Sequence, residues 1–399
     1  MAAGKAIVVG AGIAGLAVAR GLVALGWDVT VYEQASSFAP VGAGITLAPN
    51  AVRALDWFGF GQALRAKSMA HGEAGIRTSS GRWLLQAEFA ALQRRFGVPT
   101  FALHRADLHQ MLVNGASGAA IRIGHQATGI KNGDRPVVTF ETPDGPGEND
   151  ADLVVGADGI NSRIRAGLFP GHPGLSYAGY VTWRGVVPAH AVPPGVRDVG
   201  VTETWGRGKR FGIVPLGDGQ LYWFATVSVP ARSHERDTLS DVAGRYRGWH
   251  QPIPALLAAT PPETLLRHAI YEVKPPLLRY DHGRIVLVGD AAHAFTPDIG
   301  QGGCQALEDA VALIQNLSST ADVDRAVAHF DHVRRRRTQH IARTSALWGD
   351  IAEWRNPVAA GVRNTLVRLV PPSLFLRASA VTLGWQPPAN APRWEGPAA

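Results

Sequence analysis

The chain has 399 residues, of which 46% are hydrophobic and 18% charged, enough for a sizeable core and unlike a disordered or fibrous composition. Its formal net charge of +7 comes mostly from scattered arginines, so a nucleic-acid partner is not expected. The tight run Arg334-Arg335-Arg336-Arg337 reads as a solvated helix face, and the positive field suits an anionic dinucleotide. The single cysteine, Cys304, excludes an internal disulfide and zinc sites of the CxxC type, and fits a reducing, cytoplasmic setting. No apolar run approaches the about 18 residues of a membrane span, and the first strand begins too early to leave room for a leader.

In chain order, Lys5–Gly10 predicts a buried parallel strand, Ala14–Leu25 a helix and Asp28–Tyr32 a second strand. The turn between strand and helix is Gly10-Ala11-Gly12-Ile13-Ala14-Gly15. In such a βαβ unit the first glycine allows the tight turn. The second lets the backbone approach a pyrophosphate, and the third permits close helix–strand packing. The free N–H groups of the helix N-terminus then face the phosphates. Glu33 ends the second strand, where a carboxylate accepts bonds from ribose hydroxyls and repels a 2′-phosphate. The motif therefore favours FAD or NAD over NADP.

A second glycine motif, Gly156-Ala157-Asp158-Gly159, follows another apolar run. Tyr177–Val187 alternates and carries Tyr180, Trp183 and Val186, and Arg210–Val229 predicts a hairpin turning at Gly217-Asp218-Gly219. The third motif is Gly289-Asp290-Ala291-Ala292-His293, continued by Thr296-Pro297-Asp298-Ile299-Gly300-Gln301-Gly302-Gly303. Helices are predicted over Gln305–Leu317 and Asp322–Ile341. After Pro357 the pattern is helical, interrupted at Pro371-Pro372, with a loose tail from Gln386. The apolar residues Leu366, Leu369, Leu374, Phe375 and Leu376 are expected to cover the enzyme's own active-site side or form a dimer contact, with a membrane contact as the lesser alternative. The histidines show no HxxxH spacing, so no metal is expected.

The three motifs, with Val41-Gly42-Ala43-Gly44-Ile45, Pro49-Asn50 and His104-Arg105-Ala106-Asp107-Leu108, resemble the single-component FAD-dependent aromatic hydroxylases related to p-hydroxybenzoate hydroxylase. The likeness runs from residue 5 to about 345 and is nearest to the short branch of salicylate, 3-hydroxybenzoate 6- and urate hydroxylases. It implies an α/β fold: a Rossmann-like FAD-binding domain with an inserted, mostly antiparallel β-sheet substrate domain and C-terminal helices. The implied FAD domain is discontinuous, over 1–75, 100–175 and 275–345. The substrate domain takes 76–99 and 176–274, and a helical segment with a tail takes 346–399. By resemblance Gly10, Gly12, Ile13, Ala14, Gly15, Glu33, Gln34, Ala43, Gly44, Arg105, Ala127, Asp158, Asp290, Pro297, Gly300, Gly302 and Gly303 hold FAD. Arg105 contacts the phosphate and ribityl region, Asp290 the ribityl chain, and Pro297–Gly303 the isoalloxazine ring. Asp158-Gly159 resembles an element serving both FAD and the nicotinamide donor, and NADH or NADPH is a transient reductant because no second Rossmann unit exists.

The resemblance also implies the chemistry: reduced flavin and O2 form a C4a-hydroperoxide that hydroxylates an aromatic or heteroaromatic small molecule lying over the inserted sheet. Arg210 and Tyr222 match the positions that hold urate in urate hydroxylases, and serve as the candidate catalytic pair. Thr182, Arg184, Trp205 and Pro297 complete the candidate substrate contacts. Thr182 stands where urate hydroxylases carry asparagine, which leaves a phenolic or polycyclic substrate equally compatible. From the residues alone, Arg210 either meets the substrate or an acidic neighbour, Trp183, Trp205 and Trp223 pack in the core more readily than they wall a substrate, and Cys304 is a buried filler. An alkene epoxidase, a non-oxygenating flavin reductase and a redox-silent prenyl-carrier protein are the rival readings. A monomer and a homodimer stay open.

Overall fold

The computed structural model describes residues 4–38, 43–67, 73–196, 200–233 and 236–389. Val41 and Gly42 of the second family segment, and the tail beyond residue 389, lie outside the described residues. Four buried apolar residues make Lys5–Val9 a central strand of a six-stranded sheet. The spatial order is Asp281–His282, Ile285–Leu287, Leu153–Gly156, Lys5–Val9, Asp28–Tyr32 and Ala120–Arg122. All neighbours are parallel except the first pair, which is antiparallel. The three glycine motifs therefore leave from three adjacent strand ends, because Val9, Gly156 and Leu287 stand in register. An antiparallel meander, Gln126–Lys131, Val137–Thr142 and Gly145–Asp150, packs beside them and was not among the expected elements.

A seven-stranded sheet is assembled from three separated stretches of chain, in the order Leu266–Val273, Leu175–Val187, Leu221–Ser228, Lys209–Pro215, Val201–Trp205, Glu73–Thr78 and Trp83–Glu88. Its pairings are antiparallel except between Val201–Trp205 and Glu73–Thr78. Strand alternation separates its faces. Val181, Trp183, Phe211, Trp223 and Ala225 point to one side, where the helices Leu239–Arg245 and Ile253–Ala259 cover them. Trp223 stacks on Phe211 with centroids 5.4 Å apart and donates its indole N–H to Thr260 Oγ1 at 2.8 Å. Thr182, Arg184, Arg210, Tyr222, Phe224 and Thr226 point to the other side. Arg210 and Thr182 both stand opposite Thr226.

The helices Gly302–Ser319 and Val323–Ala352 close the flavin-motif side. The second runs beyond the expected end at Ile341 because Ser345 and Gly349 continue its inward stripe. Ser345 Oγ donates to Thr296 O at 2.7 Å, and a Cβ at Gly349 would lie 2.3 Å from Asp298 Oδ2. The arginine run is not a solvated face: Arg334 is 1% exposed and Arg337 binds Glu308. Arg334 donates from Nε to Asp309 Oδ1 at 2.7 Å and from its Nη1 to Glu308 Oε2 at 2.6 Å. The helix dips toward two buried carboxylates at that turn, and they need a fixed cation.

Asp309 Oδ2 also accepts from Gly289 N at 2.9 Å and pairs with His293 Nε2 at 2.6 Å. Burial alone would raise this carboxyl, yet His293, Arg334 and the Gly289 N–H hold it at about 2 against an ordinary 3.8. A carboxyl depressed on folding stabilises fully above its unfolded value. Its contribution of ~2 kcal/mol is lost as pH falls from about 4 toward 2. Acid titration of stability should show this loss, and Asp309→Asn should flatten it. Arg334→Met, which leaves Glu308 and Asp309 short of their cation, should lower stability to urea by about 3–5 kcal/mol.

Candidate active site

Gly10 has φ of 103°, and a Cβ there would lie 2.4 Å from Ala157 O. A Cβ on Gly15 would lie 2.0 Å from Gly10 O, so both glycines serve the protein's own packing. Gly12 differs. A Cβ at Gly12 meets nothing within 4 Å, and Gly12 opens the helix Ile13–Ala24 with no side-chain cap. Ile13 and Ala14 supply the first N–H groups of that helix and are themselves buried. Glu33 accepts from Ala11 N and from Ala35 N, each at 2.8 Å, which fixes the turn and leaves oxygen lone pairs on both carboxylate atoms. Gln34 beside it is exposed.

The third motif repeats this pattern. Gly300 adopts φ of 65°, Cβ atoms at Gly300 and Gly302 would meet nothing within 4 Å, and Pro297 and Gly300 are exposed. The 18-residue helix Gly302–Ser319 starts with neither a side-chain cap nor an acidic residue in its first turn. Its N–H groups and positive dipole end are available to an electron-rich ring. Gly303 packs on Ile45, whose strand Gly44–Leu47 pairs with Phe101–His104. That pairing brings Ala43 and Gly44 to Arg105, whose N–H donates to Ala43 O at 2.9 Å. Arg105 and Asp290 are both exposed. Two uncapped helix ends, open glycine backbones, an exposed cation and an exposed carboxylate form a cradle that fits a flavin dinucleotide.

Two expected cofactor residues are placed differently. The Asp158 carboxylate accepts from Ser162 Oγ, from Arg163 N at 2.7 Å and from Ile164 N at 3.1 Å, so it caps the next helix instead of facing a ligand. Burial raises its pKa against these bonds. Ala127 is 6% exposed and belongs to the core. The sequence reading missed Arg165, which is buried and donates to Ala291 O at 3.0 Å, tying the second motif to the third. Asn50, named there only as part of a family segment and given no role, donates to Gln301 Oε1 at 2.9 Å and Glu308 Oε1 at 2.7 Å from behind the flavin loop. A buried amide after Pro49 was the available signal.

On the sheet face the expected substrate residues divide. A Cβ at Gly44 would lie 2.6 Å from Tyr222 Cγ, so the Tyr222 ring packs directly on the flavin-flanking segment. Burial raises its phenol, opposed by the charges of Arg184 and Arg105. His268 stands opposite Thr182 across the strand pair, and desolvation, then Arg184 and Arg105, lower its pKa. Among the described residues neither Arg184 nor Arg105 has a carboxylate partner. This part of the sheet face is therefore positive. Thr182 is 2% exposed and bonds Trp183 O at 3.3 Å.

Arg210 is not a free cation facing a ligand. Its guanidinium is 2% exposed and contacts Glu353 Oε1 at 2.9 Å, Glu203 Oε1 at 3.3 Å and Asp298 Oδ1. Of the two sequence-level readings, the acidic-neighbour one describes this geometry. Trp205 is likewise packed away: it is 1% exposed, lies against Trp348 and Arg363, and donates to Glu203 Oε1 at 2.9 Å. Asp298 belongs to the Pro297–Ile299 turn, so Arg210 fastens the flavin loop to the sheet. Asp298 and Glu353 also line a polar cavity of about 270 Å3 with Tyr180 and Ser228. Cys304 is buried, which pushes its thiol up to about 12.

The glycines separate cofactor binding from folding. Gly12→Ala should fold with unchanged thermal stability and bind FAD at least about tenfold more weakly, a loss of ~1.4 kcal/mol or more. Gly15→Ala should instead lower stability. Flavin titration and thermal unfolding of both variants test this. Equal stability losses would remove the distinction.

The FAD binding domain family matches residues 4–346. The aurachin C monooxygenase/isomerase of Stigmatella aurantiaca is 36% identical over 91% of this chain and 94% of its own length. The FAD-dependent urate hydroxylase of Klebsiella pneumoniae is 36% identical over 83% of this chain and 85% of its own. The 2-heptyl-3-hydroxy-4(1H)-quinolone synthase of Pseudomonas aeruginosa is 34% identical over 92% and 94%. The crystal structure of Klebsiella pneumoniae HpxO with FAD and uric acid superposes with a TM-score of 0.85 over 95% of this chain and 96% of that one, at 29% identity. With the open glycine cradle and the sheet set against it, these likenesses establish that the chain belongs to the FAD binding domain family, as a FAD-dependent monooxygenase of the aromatic-hydroxylase type.

Proposed function

We propose that this enzyme hydroxylates a fused, electron-rich heteroaromatic ring, drawing electrons from NADH or NADPH in the cytoplasm. The carrying observation is the packing of Tyr222 on Gly44, which sets the sheet face bearing Arg184 and Tyr222 against the flavin-flanking segment. The relatives named for urate and for quinolones act on fused bicyclic rings, which supports this substrate class over an isolated alkene. Bound flavin supplies dioxygen activation, chemistry that no protein side chain provides.

The chain's own residues then bind and orient. Gly12 and the first N–H groups of its helix receive the pyrophosphate, Glu33 the ribose, and Arg105 and Asp290 the phosphate and ribityl region. Pro297, Gly300, Gly302 and Gly303 would hold the ring when FAD is bound. Arg184 meets the ring oxygen or nitrogen that carries negative charge when the substrate is deprotonated, the form in which its ring carbon is the better nucleophile, in a positive surrounding where His268 stays neutral more readily. Tyr222, held protonated by burial, donates to the same edge. Arg210 acts as a positioning residue through Asp298, holding the flavin loop at a fixed distance from the sheet.

The test is NAD(P)H oxidation and O2 uptake by FAD-loaded protein with urate, quinolones, salicylate-type phenols and a terpenoid alkene. A bicyclic heteroaromatic should stimulate oxidation and gain one atom from labelled dioxygen. Stimulation by the alkene alone would overturn the assignment. Arg184→Met should raise KM about tenfold or more, the loss of one charge-assisted hydrogen bond, with unchanged FAD content. An unchanged KM would remove Arg184 from the site.

A further inference from the structure

The helix Pro357–Arg368 packs inward through Ala360, Arg363 and Val367. Its inward face carries Arg363, 2% exposed, which donates to Ala352 O at 2.6 Å and Gly206 O at 2.9 Å and lies 5.2 Å from the Trp205 ring. Its outward face carries Val358, Val362 and Leu366, with Leu369 just beyond its end, and these are 73%, 50%, 58% and 72% exposed. Steps of four, four and three residues place them on one stripe. Leu374 and Val381 in the next two helices are also more than half exposed. Phe375 and Leu376 turn inward, onto the clusters around Leu85 and Phe89. A helix packed on one side of a domain ordinarily turns polar residues to its outer face. Single exposed apolar residues need no explanation, but a continuous stripe does.

The charges around the stripe indicate what covers it. Arg368 and Arg377 are exposed, and neither has an ion-pair partner among the described residues. No aspartate or glutamate occurs between Glu353 and Glu395. A second copy of the chain would present the same stripe across a two-fold axis. That contact sets arginine against arginine with no carboxylate in the segment to compensate. An anionic lipid surface offers both missing complements, negative headgroups for the arginines and an apolar layer for the valines and leucines.

We infer that the segment Pro357–Leu383 is a peripheral membrane anchor, laying Val358, Val362, Leu366 and Leu369 into an anionic bilayer surface with Arg368 and Arg377 at the lipid phosphates. Among the described residues no helix is long and apolar enough to cross a membrane, so the contact is interfacial. The inference stands independently of the substrate.

Cosedimentation of the full-length, FAD-loaded protein with phosphatidylcholine vesicles, with and without phosphatidylglycerol, tests it. Binding should require phosphatidylglycerol and weaken with added salt. Leu366→Glu combined with Leu369→Glu should bind at least about tenfold more weakly with unchanged FAD content and circular dichroism. Leu366→Phe should retain binding. The anchor is overturned if wild-type protein ignores anionic vesicles, or if the double variant binds them equally well. It is also overturned if sedimentation velocity shows a dimer that the double variant abolishes, which would assign the stripe to a second copy.

Discussion

Arg334 reaches from the long helix Val323–Ala352 into a site walled by Glu308 and Asp309, and those carboxylates in turn hold the segment Gly289–Gly303 from behind. Asp309 grips Gly289 N and His293. Glu308 grips Asn50, which grips Gln301. The flavin loop can therefore expose its glycine backbone on one side because its other side is fixed by buried charge. Such a network costs desolvation free energy and repays it only when every member is present. It defines one loop conformation where glycines alone would allow many.

Arg210 plays the corresponding part between the seven-stranded sheet and the flavin loop. It joins Glu203 of the sheet, Asp298 of the flavin loop and Glu353 beyond the long helix. Three carboxylates surround one guanidinium, and Glu203 consequently has its pKa raised, by burial first and by Asp298 and Glu353 in addition. The substrate sheet and the flavin loop are thus tied at one end by paired charge. Near Tyr222, Arg184 and Arg105 leave the same sheet face positive.

The C-terminal helices extend this division. Trp205, Trp348 and Arg363 join them to the sheet's far edge, where the helix Pro357–Arg368 packs through Ala360, Arg363 and Val367. Val358, Val362 and Leu366 are left outward. The segment expected to cover the active-site side splits accordingly, with Phe375 and Leu376 turned inward and Leu366, Leu369 and Leu374 turned out.

The sequence by itself determined the parallel sheet, the three glycine turns, the hairpin with Tyr222 and the two-faced inserted sheet. Each rests on a local rule: a glycine where a Cβ cannot fit, an apolar run of strand length, or alternation with a period of two. It also singled out Glu33, Gly12 and the Gly300–Gly303 loop as candidates, from backbone positions a few residues apart. Only the tertiary structure decided which charges meet. Arg334 reads as one of four surface arginines until Glu308 and Asp309 arrive from another helix, and Arg210 stays open between a ligand contact and an acidic neighbour until Glu353 arrives 143 residues later. Arg165, Asn50 and the cap formed by Asp158 were hidden or misread for the same reason. Charge pairing acts through space, and residue type alone does not say which side of a sheet, or which distant helix, supplies the partner.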